Sequence, residues 1–321
     1  MKAIERIYWV DYAKFFGLIL VILAHLYTSE GTNSNNEIRT YIYGFHMPFF
    51  FFISGMLFKQ RNEGLKFALL KNVKTLLWPY MLFNLLFAVI YGILDGDIYE
   101  RLIKIPMAVY YGTGNNCKAS WFVICLFFIK CIFDVLSYSK IRTIGMLVFI
   151  ALSLIPFHLQ YFYISSTLFG LVFYYLGYLS KQHLSNISLH WLGCILVAII
   201  LFVISYFLTK WNGKVSLFGG NVGNNVFLFY CNALIGSMGI IGASLALRNR
   251  PNKWIVKASV ASIGVVLLHM NFVYVCKAFS KYFTSFELFF FYLGASVIIY
   301  IICAILYHIT NKFVPVIWGK F

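Results

Sequence analysis

Several stretches of eighteen or more residues run along this chain with few or no charges. A segment of that length and character is long enough, as a helix, to cross the hydrocarbon core of a bilayer. Sixty-one per cent of the 321 residues are hydrophobic and only eleven per cent are charged, more apolar surface than a water-soluble domain of this size can hide. The runs are continuous rather than alternating, which excludes a transmembrane β-barrel. The expectation is an all-α, polytopic transmembrane bundle of about ten helices, near residues 7–27, 40–58, 74–94, 119–136, 141–157, 163–180, 188–208, 226–246, 257–276 and 287–309. The first run is too long for a cleavable signal peptide, carries Asp11 and Lys14, and lacks a small-x-small pattern after it, so it is expected to stay in the mature chain.

The formal net charge of +16 does not indicate nucleic acid, because the charge is distributed as membrane topology requires. With the N-terminus inside, seventeen Lys and Arg fall on the cytoplasmic side and eight outside, with Lys14 within the first helix. This bias predicts cytoplasmic termini at both ends. The stretch from Lys59 to Lys74 is dense, five bases against Glu63; it reads either as topogenic charge or as a cytoplasmic site for a phosphorylated ligand. The seven cysteines form no CxxC pair, and the six within apolar segments read as small hydrophobes, with no metal or disulfide expected. Three polar stretches, Gly31–Asn36, Tyr111–Lys118 and Asn212–Asn225, read as outer surface loops whose mix of amides and neighbouring aromatics suits sugars. No repeat, linker or appended soluble domain is evident, so residues 1–321 are expected to form one transmembrane domain.

Ionisable residues inside apolar segments are costly and mark function by default. On the first helix Lys14 and His25 are eleven residues apart, which at 100° per residue leaves them about 20° out of phase. Asp11 lies about 40° from His25 by the same count. The three therefore share a stripe, with Lys14 and His25 separated by about 16 Å of helical rise. Asp11 and Lys14, at i and i+3, are placed either to neutralise one another or to serve a site. His25 has no neighbour in sequence that satisfies its ring, and His46 opens the second helix at the same membrane level. Two histidines there suit general-base chemistry. In FHMPFFFFISG, residues 45–55, Pro48 is tolerated near a helix start, and Ser54 and Gly55 allow close helix approach. His269 lies deep in a late helix, while His158, His183, His190 and His308 read as structural.

These residues carry a resemblance. Asp11, Lys14 and His25 resemble the first-helix signature of the acyltransferase 3 family, in which a basic residue and a histidine flank ten others. FHMPFFFFISG, with His46, is similar to the family's second-helix motif. The basic stretch Lys71–Lys74 before LLWPY, the run WFVICLFF from Trp121, and ASIGVVLLH ending at His269 resemble later motifs. The chain looks like the short, single-domain sugar O-acetyltransferases, fucose acetyltransferase-like members included.

The resemblance implies transfer of an acetyl or other acyl group from acetyl-CoA, without a metal, to a sugar hydroxyl of a surface polysaccharide or lipid-linked glycan. It implies a multi-pass protein among the lipids of a bacterial plasma (inner) membrane. His25, His46 and Asp11 would be catalytic, with His25 as base or acyl carrier; Lys14, Lys71 and Lys74 would bind the donor; Ser54, Trp121 and His269 are further candidates. Two departures stand out. Lysines occupy positions 71 and 74, where the family often has arginine, which loses bidentate phosphate geometry. The hydrolase-like domain that some members carry is missing, so this chain would act alone or hand over to another protein. A glycan transporter, flippase or polymerase is the alternative class, since intramembrane Asp, Lys and His would serve it too.

Overall fold

The computed structural model describes residues 6–27, 37–155 and 159–320. The expected loop Gly31–Asn36 and His158 lie outside them. Helix dominates the described residues; the only strand-like feature among them is one antiparallel bridge between Ser216 and Asn221. The α-helices are α1 (Tyr8–Leu26), α2 (Glu37–Tyr43), α3 (His46–Met56), α4 (Leu65–Asn72), α5 (Trp78–Asp95), α6 (Ile98–Tyr111) and α7 (Trp121–Ser137). They continue with α8 (Arg142–Ser153), α9 (Ile164–Ser185), α10 (Trp191–Asn212), α11 (Val226–Leu245), α12 (Lys253–Val260), α13 (Ser262–Ala278) and α14 (Ser285–Phe313).

Seven of these are long and apolar enough to cross a bilayer: α1, the rod made by α4 and α5, α7, α9, α10, α11 and α14. The pair α12 and α13 would make an eighth, but it bends by 78° at Ala261. The expected helix 40–58 is two pieces. At Gly44 and Phe45 the backbone takes three-residue turns, Gly44 N to Tyr41 O at 3.1 Å and Phe45 N to Ile42 O at 3.2 Å. The expected helix 141–157 is the twelve-residue α8. Conversely, residues 98–111, expected to lie in a loop, form α6, bounded by left-handed glycines Gly96 and Gly112.

Local chemistry sets several starts. Asn225 accepts from the backbone N–H groups of Phe227 and Leu228 at 2.8 and 3.2 Å, and Asn252 from Trp254 and Ile255 at 2.9 and 3.4 Å, so both satisfy donors that a helix start leaves orphaned. Between α4 and α5, Val73–Leu77 form a π turn.

The chain divides into two compact units. The first comprises residues 1–50, 185–215 and 223–307. In it Asp11 of α1 is gripped by the Arg6 guanidinium, Nε to Oδ2 at 2.8 Å and Nη2 to Oδ1 at 3.0 Å, and accepts from the Ser259 hydroxyl of α12. The Tyr12 hydroxyl donates to the Arg250 carbonyl at 2.5 Å. These bonds tie the start of α1 to the segment around α12.

The second unit comprises residues 51–184, 216–222 and 308–321. There α3 and α9 meet backbone to backbone. A Cβ on Gly55 would fall 1.8 Å from the Tyr174 carbonyl oxygen, and one on Gly177 would fall 1.9 Å from that of Phe52. Only hydrogen fits at either position, as small residues permit in membrane helix pairs. In the expected surface loop Tyr111–Lys118, residues 115–117 fold inward, while Tyr111, Thr113 and Lys118 stay exposed. Asn115 donates to the Tyr80 hydroxyl at 3.0 Å, and the Cys117 N–H donates to Asn84 Oδ1 at 2.9 Å, leaving Asn115 and Asn116 buried. Asn116 Nδ2 donates to the Arg101 carbonyl at 2.9 Å, while Asn116 Oδ1 is buried with no hydrogen-bond partner among the described residues. Burial also pushes the Cys117 thiol up to about 12, so it packs as a neutral side chain.

Candidate active site

Three histidines gather in the first unit. His25 projects from the last turn of α1, where it is half-buried. His269 of α13 lies beside it, ring centroids 5.3 Å apart and planes tilted by 47°. Tyr43, the last residue of α2, stands between His25 and His46: its ring centroid is 6.1 Å from His25 and 4.8 Å from His46. The Arg39 guanidinium, one turn earlier on α2, sits 4.7 Å above the Tyr43 ring, within cation–π range.

Tautomers follow from the geometry. His46 Nδ1 lies 2.9 Å from the Ile42 carbonyl oxygen, at the break between α2 and α3. His269 Nδ1 lies 2.8 and 3.1 Å from the carbonyl oxygens of Val265 and Val266. A carbonyl only accepts, so both Nδ1 atoms carry the proton and both Nε2 atoms carry the lone pair. His269 Nε2 is buried with no hydrogen-bond partner. A buried, unsatisfied lone pair costs free energy, and this one belongs to a ring lying against His25. A donor on His25, or on a molecule entering beside it, would remove that cost. Among the described residues no set of three His, Cys, Asp or Glu side chains is placed to hold a metal.

A cavity of about 240 Å³ opens in the second unit. Four cations line it: Lys59 and Arg61 from the α3–α4 connection, Lys71 from α4 and Lys130 from α7. None of the four side chains makes a hydrogen bond or close ion pair with a described residue. Asp134, four residues after Lys130, is the one carboxylate in the lining, and Asn72 donates to its Oδ2 at 2.7 Å. The lining therefore has four cations against one hydrogen-bonded carboxylate, with Ser54 and Thr75 adding hydroxyls. Such a cavity is built for an anion with several oxygens.

The other expected site residues fall as follows. Lys14 is half-buried on α1 and makes no hydrogen bond or ion pair with a described residue; the partner of Asp11 is Arg6. Lys71 lines the cationic cavity, whereas Lys74, in the π turn, does not. Trp121 starts α7 with its ring 5.5 Å from Phe218. Lys59 and Arg61 belong to the basic stretch that the sequence reads either as topogenic or as a site for a phosphorylated ligand, whereas Lys130 reads there only as topogenic charge. The signal that singles out Lys130 is an intramembrane lysine with Asp134 one turn later.

An all-helical chain with seven apolar, bilayer-length helices and buried polar clusters is an integral membrane protein. A family model described as an acyltransferase domain, that of the acyltransferase 3 family, matches residues 7–315, nearly the whole chain. The chain belongs to this family and is a membrane acyltransferase. No curated protein and no solved structure matches it.

Proposed function

We propose that the protein transfers acetyl from acetyl-CoA to a sugar hydroxyl of a surface polysaccharide or glycolipid, as a single transmembrane domain in a bacterial plasma membrane. In this reading the polypeptide crosses the bilayer about ten times, α2–α3 and α8 included, with both termini cytoplasmic. The observation that supports the chemistry best is the His25–His269 pair, with the lone pair of His269 Nε2 left over.

His25 acts as the base. As the sugar oxygen attacks the thioester carbonyl, the hydroxyl proton passes to the His25 imidazole. The tetrahedral intermediate collapses, the C–S bond breaks, and the departing CoA thiolate recovers the proton. During the reaction His269 Nε2, which has no hydrogen-bond partner among the described residues, takes a hydrogen bond from the His25 ring and fixes which His25 nitrogen faces the substrate, a role carboxylates play for catalytic histidines elsewhere. His46, held by the Ile42 carbonyl and packed against Tyr43, positions that ring below Arg39.

The cationic cavity suits the phosphates of the donor. Lys59, Arg61, Lys71 and Lys130 supply charge, and Asn72 holds the Asp134 carboxylate in place by a hydrogen bond. On α1 the unpaired Lys14 shares the stripe of His25 and is a further contact for the donor.

The test compares ester content of the host's surface glycan with the gene intact, deleted, and restored as His25→Ala at normal protein level. Esters lost on deletion and unrescued by His25→Ala support the reading. Unchanged esters with glycan trapped inside would instead identify a transporter.

A further inference from the structure

A second cavity, about 200 Å³, lies in the first unit between α2 and the C-terminal end of α10. Its construction is regular. Glu37, Thr40 and Tyr41 come from one face of α2 at i, i+3 and i+4, and Tyr206, Thr209 and Lys210 come from α10 at the same spacing. Lys210 bonds to Glu37 across the cleft, and its ammonium also lies 5.5 Å from the Tyr206 ring. The Tyr41 and Tyr206 rings meet edge to face at 6.0 Å.

The walls are fixed from behind. The Tyr41 hydroxyl donates to the Phe202 carbonyl at 2.9 Å. Asn232 Nδ2 donates to Thr209 Oγ1 at 2.9 Å, and the Ser205 hydroxyl donates to Asn232 Oδ1 at 2.6 Å, all in buried positions. Lys214, at the rim, makes no hydrogen bond or ion pair with a described residue.

Tyrosine and lysine are ordinary at a membrane–water boundary. A scattered belt, however, does not enclose a cavity, and it does not rest on a buried amide–hydroxyl network. Aromatic faces, a carboxylate and ammonium already neutralising each other, and threonine hydroxyls make a poor nucleotide site and a poor lipid-tail site. They match a saccharide ring, which offers C–H faces to tyrosine and hydroxyls to paired charges. The volume is below the roughly 300 Å³ at which drug-sized sites begin, so it takes a single ring.

The opposite face of α2 bears Arg39 and Tyr43, the residues beside His25 and His46. A ring in the cleft is therefore separated from the histidines by about 10 Å, the width of one helix. We propose that this cleft binds a non-reacting sugar unit of the acceptor glycan, with Lys214 reaching an acidic neighbour on the same chain. The proposal rests on the acyl-transfer reading above. Remote binding of this kind is available to improve transfer to a long acceptor over a short one.

The test uses the full chain in nanodiscs, with oligosaccharides released by mild acid from the host's de-esterified envelope polysaccharide, and their monosaccharides, as acceptors. Tyr206→Ala is expected to raise KM for the oligosaccharides about tenfold, the loss of one good contact, while KM for acetyl-CoA and transfer to monosaccharide stay unchanged. Lys214→Ala, which removes no hydrogen bond or ion pair with a described residue, should weaken acidic oligosaccharides only. Transfer that is intact and indifferent to both substitutions overturns the cleft and leaves the acyltransferase standing. If wild type transfers nothing, the acyl-transfer reading fails. Titration calorimetry with the same oligosaccharides then decides the cleft: binding lost in Tyr206→Ala supports it, and no binding to wild type overturns it.

Discussion

The His269 ring lies 5.3 Å from the His25 ring, although the two residues come from opposite ends of the chain. With His269 Nδ1 committed to the Val265 and Val266 carbonyls, only its Nε2 is left to act on a neighbour. His25→Ala should cut kcat by about 10²–10⁴-fold, the usual worth of a positioned base. His269→Gln should lower kcat less and leave KM for acetyl-CoA unchanged. Added imidazole should restore part of the His25→Ala rate and none of the rate lost through His269→Gln. Steady-state kinetics on detergent-purified protein measure all three.

The cationic cavity predicts opposite effects for opposite charges. Arg61→Ala or Lys71→Ala should raise KM for acetyl-CoA by roughly tenfold or more, as expected for a lost charge-assisted hydrogen bond. Asp134→Asn keeps the side chain's shape and removes the one carboxylate of the lining, so it should lower that KM. All three changes should shrink as ionic strength rises. Initial rates in a salt series check the signs.

Two glycines should be intolerant of a single methyl group. Gly55→Ala and Gly177→Ala each place carbon under 2 Å from a backbone oxygen that has nowhere to move. Both should lower the thermal midpoint in detergent or abolish recovery of folded protein. Gly294→Ala, which meets nothing within 4 Å, is the control and should be neutral or slightly stabilising. Fluorescence-detected size exclusion after heating reads the difference.

Charge pairing at the start of α1 has its own discriminating set. Arg6→Gln and Asp11→Asn should both lower thermal stability, because either breaks the same two-bond fork, and Arg6→Gln should cost more because it leaves the buried Asp11 carboxylate without its cation. Lys14→Met should not lower it, since Lys14 holds no partner among the described residues. Equal loss with Lys14→Met would mean that Asp11 pairs with Lys14, as their spacing suggested.

What the sequence made legible follows from what is local. The stripe of Lys14 and His25, and the small residues that let α3 approach α9, depend on helical period and side-chain size alone. The break at Gly44 was hidden because Tyr41–Phe45 is as apolar as its surroundings, and hydropathy does not report backbone turns. The amphipathic α6 was hidden for the opposite reason: Asp97, Glu100, Arg101, Lys104 and Pro106 make it look like a loop. The union of His25 with His269, and of Arg61 with Lys130, arises only when distant helices pack, and no spacing rule reaches that far.

The π turn at Val73–Leu77 gives the α4–α5 rod one residue more than an α-helical ladder would hold. At about 100° per residue, that surplus sets the rotational phase between Lys71 and Asn72 before it and Tyr80 and Asn84 after it. Removing one residue there would leave a smoother helix with the lysine and asparagine swung a quarter-turn or more away from Asp134. The segment is thus a spacer of fixed length: it admits exchanges of side chain but no change in residue count, whereas connections such as Arg61–Gly64 have no such phase to keep.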